Sequence, residues 1–175
     1  MKKLLVIVPI WNKEDFLENT IEGILQQSFS NFELVLIDDN STDKSLEIVK
    51  PYLKESNITL LQNNENKGCY YTRNRGLWEF KDKEWDYFTI HDADDISDLR
   101  RFQHFIDTFE SNPSLIYLKS TSINYDFKTN KPILKEDNSP NTFTGEGTAF
   151  MSRELFDNIG YFDNTRFSGD TDYMW

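Results

Sequence analysis

The chemistry of this chain concentrates in five residues, His91-Asp92-Ala93-Asp94-Asp95. Three carboxylates within four residues repel one another, so the cluster costs stability unless positive charge meets it. A divalent cation is the usual remedy, and a ligand set made only of oxygen suits Mg²⁺ or Mn²⁺ rather than zinc. A hard cation in such a site most often serves to hold a diphosphate. The plain alternative is an acidic surface turn that caps the next helix. Alternation along an extended chain puts Asp92 and Asp94 on one face and points Asp95 away, unless a turn intervenes.

The cluster closes an apolar, aromatic run at 85–90, which reads as a buried strand ending in a polar turn. Strand and helix patterns alternate before it. Residues 4–8 form a continuous apolar run, expected of a strand covered on both faces. Asn12 can cap a helix over 13–27, where Phe16, Leu17, Ile21, Ile24 and Leu25 recur at helical spacing. A second strand is predicted over 32–37, then a polar turn at 38–43 and a helix over 44–53. A third strand over 58–61, a loop over 63–68 and a helix over 70–80 follow. Beyond the acidic cluster come a helix over 99–110, stopped near Asn112-Pro113, and a strand starting at 115–118. Repeated strand–helix units imply an α/β fold with a mostly parallel central sheet and helices on both faces, a Rossmann-like architecture. Ligands of such sheets sit outside the carboxyl ends of the strands, where the polar clusters 9–13, 38–43 and 91–95 fall. After about residue 119 the pattern changes to a hairpin around 128–131, a polar loop over 136–144, an apolar stretch at 148–151 and a helix over 153–159. This last third is expected to join the same sheet.

Composition removes several functions. The 175 residues fit one domain, able to bury about two-thirds of its unfolded surface. A net charge of −11 argues against nucleic-acid binding through a basic face. Aromatics at 15% supply either a large core or sugar-stacking surfaces. The one cysteine, Cys69, permits no internal disulfide and fits a reducing compartment. No run approaches the ~18 apolar residues of a transmembrane segment, so membrane contact would be peripheral. Neither a G-x-G-x-x-G after the first strand nor a P-loop occurs, which leaves a bound cation as the natural partner for phosphates. Two histidines and one cysteine give zinc hydrolysis and Cys–His catalysis little material.

Five segments in order carry a resemblance: Val6 to Lys13, Phe32 to Asp43, Asn66-Lys67-Gly68 with Thr72 to Leu77, His91 to Asp95, and Gly169-Asp170-Thr171-Asp172. Together they resemble the family 2 inverting glycosyltransferases of the GT-A fold, over essentially the whole chain. The resemblance implies one glycosyltransferase domain over 1–175, with 1–118 the nucleotide-sugar half and 119–175 the acceptor side, short at its carboxyl end. It places Pro9, Trp11 and Asn12 in a loop that packs on the nucleotide. Asp39 would accept the N3–H of uracil, while Asp38 beside it only shapes the turn. Arg73, in Thr72-Arg73-Asn74, would approach the nucleotide. Asp92, Asp94 and Asp95 form the DxD-type motif, with Asp92 and Asp94 on the ribose and sugar side and Asp95, with Asp94, on an Mn²⁺ or Mg²⁺ ion. Asp170 matches the second residue of the family's Glu-Asp motif, the general base, although Gly169 stands where the Glu belongs. The implied donor is a nucleotide-diphosphate sugar, UDP by analogy, and the implied acceptor a glycan or lipid-linked intermediate of a bacterial surface polysaccharide. A cytoplasmic protein, working where needed at the inner face of the membrane, follows from the same resemblance. A sugar-phosphate nucleotidyltransferase would share the fold and the metal, but normally carries a Gly-rich, Arg-containing loop where this chain has Pro9-Ile10-Trp11-Asn12. A non-catalytic nucleotide- or glycan-binding domain is the remaining alternative.

Overall fold

Apolar side chains on both sides of β1 (Leu4–Ile10) put this strand at the centre of the computed structural model, which describes residues 1–126, 128–129, 131–143 and 146–163. Leu4, Val6, Val8 and Ile10 enter one core, and Leu5 and Ile7 enter another on the opposite face. β2 (Phe32–Asp38) pairs with β1 in parallel, and β3 (Ile58–Gln62) pairs with β2 the same way. β4 (Tyr87–Ile90) flanks β1 on its other side, also parallel. After β5 (Tyr117–Lys119) the chain forms short antiparallel pairs, β6 (Ser122–Ile123) with β9 (Thr142–Phe143) and β7 (Tyr125–Asp126) with β8 (Lys131–Pro132). β10 (Ala149–Ser152) then enters the main sheet, antiparallel to both neighbours, giving the order β3-β2-β1-β4-β10-β5. The last third thus joins the same sheet, as its apolar stretch implies.

The helices cover both faces. α1 (Leu17–Leu25), α2 (Ser45–Val49) and α4 (Arg101–Ser111) pack on the face of Leu4 and Val6. α3 (Cys69–Phe80) and α5 (Arg153–Ile159) pack on the face of Leu5 and Ile7. Most of the aromatic content goes into these layers: Phe105 stacks on Phe150 with ring centroids 4.1 Å apart, and Tyr87 on Phe109 at 4.4 Å.

Three local expectations are corrected. The helix predicted over 13–27 begins at Leu17, with Phe16 and not Asn12 in the capping position. Asn12 instead takes a left-handed conformation, φ 51°, and turns toward the next loop. The helix predicted over 44–53 stops at Val49 and tightens into a 3₁₀ turn over Lys50–Lys54, because Pro51 has no N–H to bond back to Glu47. The loop predicted over 136–144 is partly paired, through β9 and a bridge between Leu134 and Pro140. The hairpin around 128–131 forms, with Tyr125 opposite Pro132 and Asp126 opposite Lys131.

α3 lies close to the sheet because Gly76 has no side chain. A Cβ there would stand 3.1 Å from Ile7 Cγ2 and from Ile37 Cδ1. Two residues earlier, buried Asn74 copies a backbone unit. Its Nδ2 donates to the Phe162 carbonyl at 2.7 Å, and its Oδ1 accepts from the Phe162 N–H at 2.9 Å. One side chain thereby fixes the segment after α5 against α3. Asn74→Ala removes both buried bonds, and urea denaturation should show a loss of about 1–3 kcal/mol. A loss below about 0.5 kcal/mol would mean that water replaces the amide freely.

Candidate functional site

Parallel pairing of β2, β1 and β4 sends their three following loops out from one edge of the sheet. The first two loops are bonded together. Asp39 N–H donates to the Ile10 carbonyl at 2.7 Å, and Asn12 N–H to Ser41 Oγ at 3.0 Å. Asn12 Oδ1 accepts from Thr42 N–H, Ser45 Oγ from Lys13 N–H, and Asp43 from the N–H groups of both Glu14 and Ser45. Asp38 accepts the Ser41 N–H and closes its own turn. These bonds fix the left-handed exits at Asn12 and Asn40 and hold the rim of a cleft of about 260 Å³. Pro9, Trp11, Asp39, Asp92 and Asp94 line that cleft. A larger open hollow, about 570 Å³, lies at the end of β3 among Asn63, Lys67, Tyr71 and Arg75, away from the acidic cluster.

Asp39 is buried and held from three directions. Its Oδ1 accepts from Asn63 Nδ2 at 2.6 Å and Lys67 N–H at 2.9 Å, and its Oδ2 from Gly68 N–H at 2.9 Å. Gly68, at φ 89°, can present that N–H just before α3 because it lacks a Cβ. A carboxylate offers about four lone-pair sites, so Oδ2 keeps one for a ligand N–H. Trp11 stands at the rim, 54% exposed, unlike the aromatics of the core.

The acidic cluster is a turn, closed by Asp95 N–H to the Asp92 carbonyl at 3.2 Å. The turn overrides the alternation expected of an extended chain and brings Asp92 and Asp95 toward one space. Both reach the point where a Cβ on Gly147 would stand, Asp92 Oδ2 at 2.7 Å and Asp95 Oδ2 at 3.6 Å. Asp94 goes elsewhere, into an ion pair with Lys13 Nζ. Asp92 Oδ1 accepts from Arg73 Nη2 at 3.2 Å; Arg73 is buried, and its Nε has no hydrogen-bond partner. Burial pushes the Asp95 carboxyl up to about 6, and Asp92 and Asp94 push it the same way. Arg101 lies behind the cluster. Burial pulls its guanidinium down to about 10, opposed by Asp95 and Asp92. Burial, then Arg101, pulls buried His91 down to about 4.

The structure thus gathers Pro9, Trp11, Asp39, Asp92 and Asp94 in one cleft, with Arg73 against Asp92 and Asp95 beside Gly147. Asn12 braces the rim instead of lining the cleft. Asp170 and its neighbours lie outside the described residues. Lys13, His91, Arg101 and Gly147 were not singled out as site residues. Lys13 and His91 sit inside the motifs at two strand ends, which was signal enough to weigh them. Arg101 and Gly147 reach the site only through the tertiary fold and carried none.

A mostly parallel sheet with helices on both faces and an acidic turn at the carboxyl end of β4 is an architecture of the GT-A type. The comparisons agree. Residues 5–172 match the model of glycosyl transferase family 2, and the chain belongs to that family. It is 40% identical over 96 residues to a glycosyltransferase of Haemophilus influenzae, covering 54% of this chain and 37% of that one. It is 28% identical over 180 residues to the minor teichoic acid biosynthesis protein GgaB of Bacillus subtilis, covering 94% of this chain and 20% of that protein. The chain therefore spans well under half the length of these relatives. Among solved structures, S. aureus TarS (residues 1–349) in complex with UDP superposes with a TM-score of 0.74 at 22% identity, over 99% of this chain and 54% of that one. The mannosyltransferase PcManGT of Pyrobaculum calidifontis, in complex with GDP-Man and Mn²⁺, gives 0.71 at 21% identity, over 97% and 49%. These two likenesses concern the fold.

The strain at Asp95 has a measurable sign. A carboxyl raised to about 6 in the fold, from 3.8, contributes full stability below pH 3.8 and loses it as pH rises through 6. Without divalent cations, Asp95→Asn should therefore melt higher than the wild type at pH 7, with the gap closing toward pH 4. Melting curves in EDTA across that range would read it, and parallel curves would show that Asp95 is not strained.

Proposed function

We propose that this protein transfers a sugar from a nucleotide-diphosphate sugar to a hydroxyl of a glycan or lipid-linked acceptor, with inversion, in the synthesis of a surface polysaccharide. The observation that carries this reading is the single cleft in which Trp11, Asp39, Asp92 and Asp94 meet from three strand ends. Trp11 packs on the base. The free lone pair of Asp39 accepts a ring N–H, which uracil has at N3 and cytosine lacks; UDP is the preferred carrier on that ground. Arg73 and Lys13 bring positive charge to a diphosphate lying over the acidic turn.

The residues fit a hard divalent cation, Mn²⁺ or Mg²⁺. Among the described residues no three His, Cys, Asp or Glu side chains form a ready-made ligand set. Ions of this kind, however, are commonly held by one or two carboxylates plus substrate phosphates. Asp92 and Asp95, sharing the space beside Gly147, supply such a pair, and the raised Asp95 carboxyl marks charge that the protein leaves uncompensated. Asp94, paired with Lys13, serves the ribose and sugar side. A bound cation supplies positive charge against the negative charge that develops on the departing diphosphate. Asp170 takes the proton of the acceptor hydroxyl as its oxygen attacks the anomeric carbon from the opposite face; the bond to the diphosphate breaks and its electrons leave with the nucleotide. We assign residues 1–118 to the donor side and 119–175 to the acceptor side. Among the described residues no helix is long and apolar enough to cross a membrane. The exposed free thiol of Cys69 suits the reducing cytoplasm, and a lipid-linked acceptor would bring the enzyme to the inner membrane face as a peripheral protein.

A melting panel of UDP-, dTDP- and GDP-sugars with and without Mn²⁺ tests the donor, since a ligand of the native state raises the midpoint by mass action. A UDP-sugar should raise it most, and by more with Mn²⁺ than without. Asp95→Ala should lose the Mn²⁺-dependent part; an unchanged shift would remove Asp95 from the cation site. Asp170→Asn should lower transfer by roughly 10²–10⁴ while donor affinity stays put. An equal fall in donor affinity would contradict its role as base.

A further inference from the structure

Gly147 lies in the 3₁₀ turn Glu146–Thr148 that leads into β10, at the same sheet edge as the acidic turn. Among the described residues the positive-φ glycines are Gly68 and Gly160, so Gly147 is not there for its backbone conformation. What it provides is room: a Cβ would meet Asp92 Oδ2 at 2.7 Å and stand 3.6 Å from Asp95 Oδ2. The Gly147 carbonyl accepts from Arg101 Nη2 at 2.7 Å, and Arg101 Nη1 donates to Ser97 Oγ at 2.9 Å. The guanidinium lies over the Phe150 ring, 5.0 Å from its centroid.

The directions of the remaining bonds follow from the chemistry. The Asp92 carbonyl can only accept, so His91 Nδ1 carries the proton that reaches it at 2.9 Å. In the neutral imidazole His91 Nε2 then accepts, and Ser97 Oγ–H donates to it at 2.8 Å, leaving a Ser97 lone pair for Arg101. The run Arg101 to Ser97 to His91 to the Asp92 carbonyl therefore points one way and requires a neutral imidazole. Through it Arg101 fixes the backbone of the acidic turn with one nitrogen and the backbone of Gly147 with the other. One side chain thus links the acidic turn to the chain that faces its carboxylates.

We infer that Gly147, held in place by Arg101, is a positioning residue for the cation: its missing side chain keeps open the gap that Asp92 and Asp95 share. The inference rests on the cation reading above and adds two residues to it. An alanine at 147 fits the backbone, and the atom it meets is the end of a side chain that is 40% exposed, so Asp92 can swing aside and the fold survives. The displaced Oδ2 then no longer faces Asp95 across the gap.

Calorimetric titration of Mn²⁺ into the UDP-saturated protein, with UDP titrations and melting curves in EDTA, tests this on the wild type, Gly147→Ala and Arg101→Lys. Gly147→Ala should melt in EDTA like the wild type and bind UDP there equally well. Its Mn²⁺ affinity should fall about 10–100-fold, the loss typical when the groups that orient metal ligands are disturbed. Arg101→Lys keeps the charge but loses the two-pronged tie, and its Mn²⁺ affinity should fall in the same direction. Wild-type Mn²⁺ affinity in Gly147→Ala overturns the inference while leaving the cation reading intact, and so does unchanged affinity in Arg101→Lys. A wild-type protein that takes up no Mn²⁺ with UDP overturns the cation reading itself, and the inference with it.

Discussion

Like-charge repulsion in one tight turn is the constraint around which the rest of the site is arranged. Asp92, Asp94 and Asp95 cannot all sit at the end of a buried strand without compensation, and each meets a different cation. Arg73 comes from α3 on one face of the sheet and bonds Asp92. Lys13 comes from the loop after β1 and bonds Asp94. Arg101, at the start of α4 on the opposite face, acts on Asp95 and Asp92 through space. Three elements that share no local sequence are thus drawn to one point, and the strand order that makes them neighbours is the one that buries β1 on both sides.

The layer behind these charges is mostly backbone held by side chains. Thr20 of α1 offers its hydroxyl to the carbonyls of Ala93 and Asp95, each at 3.0 Å. Gln27, just past α1, donates to the Asp98 carbonyl and accepts from Phe102 N–H, tying the end of the loop between β4 and α4 to the first turn of α4. Asp39 ties the loop before α3 to the end of β2. A carboxylate turn built on an unsupported loop would relax outward into water and shed its strain. Here α1, α4 and β10 hold it in place.

How much of this the sequence carries depends on the range of the interaction. β1 and β2 were legible because burial on two faces demands a continuous apolar run, and the buried face of α1 because Leu17, Ile21 and Ile24 recur at helical spacing. The strand ends were legible as polar clusters, so the meeting of Trp11, Asp39 and Asp92 followed once parallel order was assumed. Local rules failed where a nearer or stronger interaction won. Asn12 gives its side chain to Thr42 instead of a helix end, and Pro51 cuts the second helix short. The pleat expected at the acidic cluster gave way to a turn, so the residue expected to point away, Asp95, is the one that joins Asp92. Arg101 and Gly147 were illegible for a different reason. Arg101 follows Arg100 with nothing local to tell the two apart, and the separation of 46 positions from Gly147 carries no period that brings them together.

The three carboxylates are not compensated alike, and that inequality gives the proposed cation its place. Asp92 and Asp94 each hold a direct bond to a basic side chain. Asp95 has positive charge only through space, and burial pushes its carboxyl up. An incoming cation gains most where negative charge is least satisfied, which is between Asp95 and the Asp92 oxygen turned away from Arg73. Asp94 sits at the open side of the cleft with Lys13, where a sugar hydroxyl or a phosphate can compete for either partner at the small cost of an exposed ion pair. The same arrangement divides the proposed jobs among three identical side chains: Asp95 with the free oxygen of Asp92 for the cation, and Asp94, exchangeable with Lys13, for the substrate.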